Sequence, residues 1–256
     1  MIERHFHDVY FNGKSLADFG VHVNGTDVFN GPEKDVENVE VPGRNGDLHI
    51  FNGRYKNVEL KYHAFIGGGN TIKYNSEQED FKLHVRSLRQ HLYKSDGYCR
   101  LEDTYHPDEY RRAMYKGPFT TEAIMLQAGE FDLTFDADPR RFLKSGEQKI
   151  EFTSDGIIFN PTDYVSKPLI RIYGKGSLTI GDVIISMANS YGLQHMDIDC
   201  EIQDAYYEYV DHTMLNCNPY INLVDGAFFE LKPFDNTVTL GSGITKVEIV
   251  PNWWIL

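Results

Sequence analysis

Over much of the chain, apolar and polar residues alternate at every second position, and this period of two is the strongest constraint on the fold. Successive side chains of an extended strand point to opposite faces, so such runs can bury one face only within a sheet. In the first half the alternation runs through Val21-His22-Val23, Tyr55 to Tyr62 and Gly129 to Phe135. In the second it runs through Ser177 to Ile180, Met196 to Ile202, Thr237 to Leu240 and Thr245 to Ile249. Asn24-Gly25 and Asn52-Gly53 read as hairpin turns, and glycine pairs (Gly174/Gly176, Gly241/Gly243) punctuate the later segments. A single stretch has a clear helical period. Ser76-Glu77-Gln78-Glu79 has the spacing of a capping box, and Phe81, Val85, Leu88 and Leu92 follow on one face, with Gly97 placed to end the run. The expectation is a mainly β chain of two β-sandwich domains, the first with one packed α-helix. The 16 Tyr and 16 Phe against 2 Trp suit strands and interfaces.

Charge divides the chain. Residues 1–149 carry 20 Lys+Arg against 24 Asp+Glu, whereas residues 150–256 carry 5 against 14. A shift of this kind marks a domain boundary. The seam expected from Asp138-Pro139 through Gly146-Glu147 places it near Ser145, giving domains 1–145 and 146–256. The formal net charge of -13 argues against a protein that grips phosphate backbones. No run of 18 apolar residues is present, so no membrane-inserted helix is expected. Residues 1–8 lack the order of a secretory signal, and Cys99, Cys200 and Cys217 have long spacings. Free thiols in a reducing cytoplasm are expected.

Chemistry has few footholds. Asp197, Asp199 and Glu201 would share one strand face, where paired carboxylates could serve a glycosidase or bind Ca²⁺. The simpler expectation is that Ile198, Cys200 and Ile202 take the core and the acids take water. His5 and His7 also share a face, but no third ligand is identifiable, and no metal or cofactor site is assigned. Gly67-Gly68-Gly69-Asn70 lacks the Gly-Lys-Ser/Thr ending of a phosphate loop, and Gly174-Lys175-Gly176-Ser177 runs into a strand rather than a helix. Neither a Gly-x-Ser-x-Gly elbow nor a His-Glu-x-x-His motif occurs. The adjacent Trp253 and Trp254 invite binding instead. Neighbours on a strand face opposite ways, so one could fill the core while the other meets a partner protein or stacks on a sugar ring.

The order of segments carries more than any one motif. Asp18-Phe19-Gly20-Val21 is followed by Val41 to Leu48, then, after the helix, by Gly97 to Thr104 and Asp108-Glu109-Tyr110-Arg111. Phe131 to Phe135, Asp138-Pro139-Arg140-Arg141-Phe142 and the final Trp253-Trp254 complete the series. In this order the chain resembles the distal tail protein (Dit) family of long-tailed phages and prophages of Gram-positive bacteria. The resemblance covers essentially the whole chain. It departs at Ala137-Asp138, where the family often carries Cys before the Pro.

The resemblance implies a tail-tube-like β-sandwich with a helix followed by a galectin-like β-sandwich. It implies a structural virion protein at the tail tip, without enzymatic activity, that forms a hexameric ring with copies of itself. Such a ring joins the tail tube protein to the tail-associated hub protein and to receptor-binding components, and DNA only passes through its lumen. Its heterologous interfaces need exposed edges and loops. Pro42, Gly43, Arg44, Asn45 and Gly46 read as a loop long enough to reach a neighbour, where Arg44 could make a bidentate contact. The alternative is a lectin-like host-adhesion protein binding host glycans through Trp253 or Trp254.

Overall fold

The computed structural model of the protein describes residues 7–27, 29–67, 76–119, 122–124, 128–188 and 193–256. The chain divides into two compact units, Met1–Arg141 with Leu256, and Phe142–Ile255. The division falls at Arg141/Phe142, inside the 138–147 seam. Leu143 already packs on the second core, and the Leu143 N–H donates to the Trp253 carbonyl at 2.9 Å.

Strands β1 (Val9–Phe11), β2 (Lys14–Ser15), β3 (Val21–Thr26), β4 (Lys34–Val39), β5 (Leu48–Tyr55) and β6 (Val58–Gly67) precede helix α1 (Ser76–Leu92). After it come β7 (Cys99–Asp103), β8 (Glu109–Tyr115), β9 (Glu122–Ile124) and β10 (Ala128–Ala137). Seven of these strands form one path, β2-β1-β7-β8-β10-β6-β3, and β9 pairs with β10. An antiparallel bridge from His7, just ahead of β1, to Val23 of β3 draws the two ends of that path together. The sandwich-like body is therefore a single curled sheet whose two sides face one core. Phe11, Leu60, Tyr62, Ile66, Leu133 and Phe135 line it. The expected helix stripe joins them: Phe81, Leu88 and Leu92 are buried in the same cluster and Val85 packs against it. The capping-box side chains at 76–79 lie outside the described residues.

Both predicted Asn-Gly turns are corrected. Val21–Thr26 is one strand with a register shift between Val23 and Gly25, so Asn24-Gly25 forms a bulge against β6. Asn52-Gly53 lies within β5, where Val36 pairs with Phe51 and Lys34 with Tyr55, leaving three residues opposite Asp35. Gly53 adopts φ +74° there, which accommodates the extra residues of a bulge. Strand β6 begins at Val58 rather than at Tyr55.

After β11 (Arg141–Leu143), which spans the division, the second unit is built from β12 (Ile150–Phe152), β13 (Gly156–Asn160), β14 (Leu169–Gly174), β15 (Gly176–Ile180), β16 (Val183–Met187) and β17 (Met196–Asp199). Then follow β18 (Asp204–Glu208), β19 (Met214–Asn216), β20 (Ile221–Leu223), β21 (Phe234–Leu240), β22 (Ile244–Val250) and β23 (Trp254–Ile255). A six-stranded sheet, β12-β22-β14-β17-β18-β19, and a five-stranded sheet, β13-β21-β15-β16-β20, share one core. Alternate residues explain it: Ile170, Ile172, Val247 and Ile249 come from the first, and Ile158, Leu178, Ile185 and Val238 from the second. The chain passes between the sheets at Gly174–Gly176 and again at Gly241–Gly243, and the two crossings touch backbone to backbone. The Lys175 N–H donates to the Gly243 carbonyl at 3.0 Å, and the Gly241 N–H to the Ser177 carbonyl at 2.8 Å.

Candidate functional site

Among the described residues, strands β4 and β5 pair only with each other and belong to none of the three larger sheets. Their loop holds the five residues singled out above. The Arg44 N–H closes a turn onto the Val41 carbonyl at 3.1 Å, with Pro42 and Gly43 at its centre. Gly43 takes φ +82°, as the third position of a type II turn requires, and Pro42 suits the second. Every residue from Val41 to Ile50 is exposed, and Arg44 has no side-chain partner among the described residues. The loop is thus the tip of an exposed hairpin.

Polar cross-strand pairs hold that hairpin. Arg54 Nε donates to Asp35 Oδ2 at 2.6 Å, Lys56 Nζ to Glu33 Oε2 at 3.3 Å, and His49 Nδ1 lies 2.6 Å from Asn38 Oδ1. The hydrogen bond from Arg54 holds the Asp35 carboxyl below its ordinary pKa. Exposed pairs of this kind contribute about 0–1 kcal/mol each, and a two-stranded hairpin alone is marginally stable in water. Meanwhile Val41, Leu48, Ile50 and Phe51 remain about two-fifths to half exposed. The hairpin offers apolar surface and an unpaired cation, which together suit a protein partner.

The two tryptophans separate as alternation requires. Trp253 is 4% exposed and belongs to the second core, so it meets neither partner nor sugar. Trp254 is half-buried: its ring stacks on Tyr164 with centroids 4.4 Å apart, and Nε1 donates to the Val165 carbonyl at 2.9 Å.

The acidic triplet is not one carboxylate face. Strand β17 ends at Asp199, so Glu201 lies beyond it. Asp197 is buried and takes both arms of Arg171, at 2.7 and 2.8 Å, while Asp199 accepts the N–H groups of Glu201 and Ile202 in the turn. Ile202, expected in the core, is exposed. Alternation located the strand but could not see that Arg171 on β14 faces Asp197. His7 stacks on Tyr105 with centroids 3.7 Å apart, whereas His5 and Gly68-Gly69-Asn70 lie outside the described residues. Among the described residues, no three His, Cys, Asp or Glu side chains group to hold a metal.

Residues 14–137, which include the hairpin and every strand of the seven-stranded path except β1, match the model of the phage tail protein RIFT-related domain. This stretch belongs to that phage tail family. No curated protein sequence matches the chain. Among solved structures, the crystal structure of SPP1 Dit (gp 19.1), described as a paradigm of the hub adsorption apparatus of phages infecting Gram-positive bacteria, superposes with a TM-score of 0.72. That match has 15% identity and covers 98% of this chain and 99% of the other. The resemblance to distal tail proteins is borne out: residues 14–137 match a phage tail family, and the whole chain shares its fold with SPP1 Dit. Among the described residues, no helix is long and apolar enough to cross a membrane.

Proposed function

We propose that the chain is a structural, non-enzymatic phage or prophage tail-tip protein. Its copies close head to tail into a six-membered ring between the tail tube and the hub with its receptor-binding components. The observation that carries this reading is the β4–β5 hairpin. It displays apolar side chains and Arg44 on an element that has no sheet of its own to join. Such an arm meets its match on the neighbouring copy, a heterologous contact that generates a ring when the rotation closes. The acidic second half and the galectin-like reading of its two sheets fit an outward-facing domain. The lectin-like alternative loses Trp253 to the core and rests on Trp254 alone.

Solution mass with negative-stain imaging tests the ring. Six copies of 29.5 kDa give about 177 kDa and an image with a central hole. Arg44→Glu should shift the mass toward 29.5 kDa while the far-UV circular dichroism stays unchanged. A variant that assembles like the wild type removes Arg44 from the interface. A wild-type chain that stays monomeric even with the tube protein rejects the ring.

A further inference from the structure

Strand β13 is the last strand of the five-stranded sheet, and among the described residues no strand pairs with its outer side. Natural edges are usually guarded by lysine, proline or a bulge. Gly156-Ile157-Ile158-Phe159-Asn160 has none of these and keeps regular register with β21 from end to end. Ile157 and Phe159 point outward, 60% and 56% exposed. Beside them Phe234 is 61% exposed, its ring centroid 6.4 Å from that of Phe159.

Phe234 is also held at φ +71°, a region that bulky side chains avoid. The buried Asn236 fixes it there. Its Nδ2 donates to the carbonyls of Lys232 and Phe234 at 2.8 and 3.0 Å, and its Oδ1 accepts the Lys232 N–H at 2.8 Å. The phenyl ring is therefore displayed by a turn anchored in the core, and strained backbone of this kind is kept where it serves a site.

The charge around this patch indicates what covers it. No Lys or Arg occurs between Lys149 and Lys167, whereas Asp155 and Asp163 flank the strand and Asp235 stands opposite Phe159 in register. Lys232 in the adjoining turn is already paired with Asp182 at 2.8 Å. A second copy would bring the same acids against these, an unfavourable pairing. We infer that the β13 edge, with Ile157, Phe159 and Phe234, docks an extended segment of a different protein. That segment adds a strand to the sheet, is apolar at alternate positions and is basic between them.

The test uses the full chain and fluorescently labelled peptides, read by anisotropy and by hydrogen exchange at 156–160. A peptide alternating lysine with valine or isoleucine should bind and slow exchange in β13. Its glutamate counterpart, and a version with serine at the apolar positions, should not. Phe159→Asp and Phe234→Ser should each weaken binding by about tenfold or more, the effect expected of interface anchors. Unchanged tryptophan-monitored melts would show that both variants stay folded. Equal binding of the three peptides, no binding at all, or full binding by the variants overturns the inference. So does wild-type self-association that Phe159→Asp abolishes, which would assign the edge to a second copy. Assembly through the β4–β5 hairpin should be indifferent to Phe159→Asp, so the ring and the docking edge fail separately.

Discussion

Gly174→Ala isolates the energetic role of the glycine crossing between the sheets of the second unit. Gly174 sits at φ +102°, and a Cβ there would lie 2.2 Å from the Gly243 carbonyl oxygen, a backbone atom that cannot swing away. The conformational strain alone costs about 1–3 kcal/mol. Relieving the clash separates the two crossings and breaks the 3.0 Å bond from the Lys175 N–H to that same carbonyl, costing about 1 kcal/mol more. The expected loss is about 3 kcal/mol. Gly226→Ala is the control, since Gly226 has φ +68° but nothing within 4 Å of an added Cβ. It should lose only about 1 kcal/mol, the left-handed backbone cost. Urea unfolding followed by tryptophan fluorescence is the assay, because both tryptophans lie in the second unit. At a slope of about 2 kcal/mol/M, the midpoints should fall by about 1.5 M and about 0.5 M. Equal midpoints for the two variants would refute the claim that the crossings are held in close backbone contact.

Two other measurements probe buried groups. Burial opposes ionisation of Glu248, but hydrogen bonds from Lys246 and Lys149 outweigh it and bring the carboxyl down to about 2 from an ordinary 4.5. A depressed folded-state pKa stabilises above the unfolded value and loses that stability as pH falls toward the folded one. The wild type should therefore lose stability between pH 4.5 and about 2 more steeply than Glu248→Gln, and parallel acid-unfolding curves would exclude this role. Burial pushes the Cys200 thiol up to about 12, and Cys217 is also buried with its pKa raised, whereas Cys99 is partly exposed. Because the thiolate is the reactive form, a disulfide reagent at pH 8 should label Cys99 first and reach Cys200 and Cys217 only on unfolding. Rapid labelling of Cys200 in the native chain would contradict its placement.

Local pattern was enough wherever a single element decided the outcome. The helix was legible because Phe81, Val85, Leu88 and Leu92 satisfy a period that no strand can bury. The second-half strands were legible because Leu178, Val247 and Ile249 repay alternation whichever neighbours they find. At the candidate site, the loop of Pro42 to Gly46 could be read as exposed from its composition, since Pro and Gly at those positions specify a turn. That its flanking strands form an isolated hairpin was not readable. Val36 and Phe51 have strand-forming side chains, and only the closure of the larger sheet without them leaves Val36 half-buried and Phe51 exposed.

What the tertiary structure alone decided concerns residues whose fate depends on a partner distant in sequence. Asn24-Gly25 and Asn52-Gly53 suit a turn as well as a bulge, and pairing with β6 and β4 made them bulges. Trp253 and Trp254 are equivalent in sequence, and the direction from which the second core approaches buried the first. Asp197 left the water expected of it because Arg171 stands opposite on β14. Phe159 and Phe234, apolar residues that composition would assign to a core, face outward because strand order placed β13 at an edge. By itself the sequence determined which residues can form strands and helix and in what order, since those preferences are local. Which strand lies beside which, and hence which surfaces stay open for other proteins, is set by long-range pairing that period and composition do not encode.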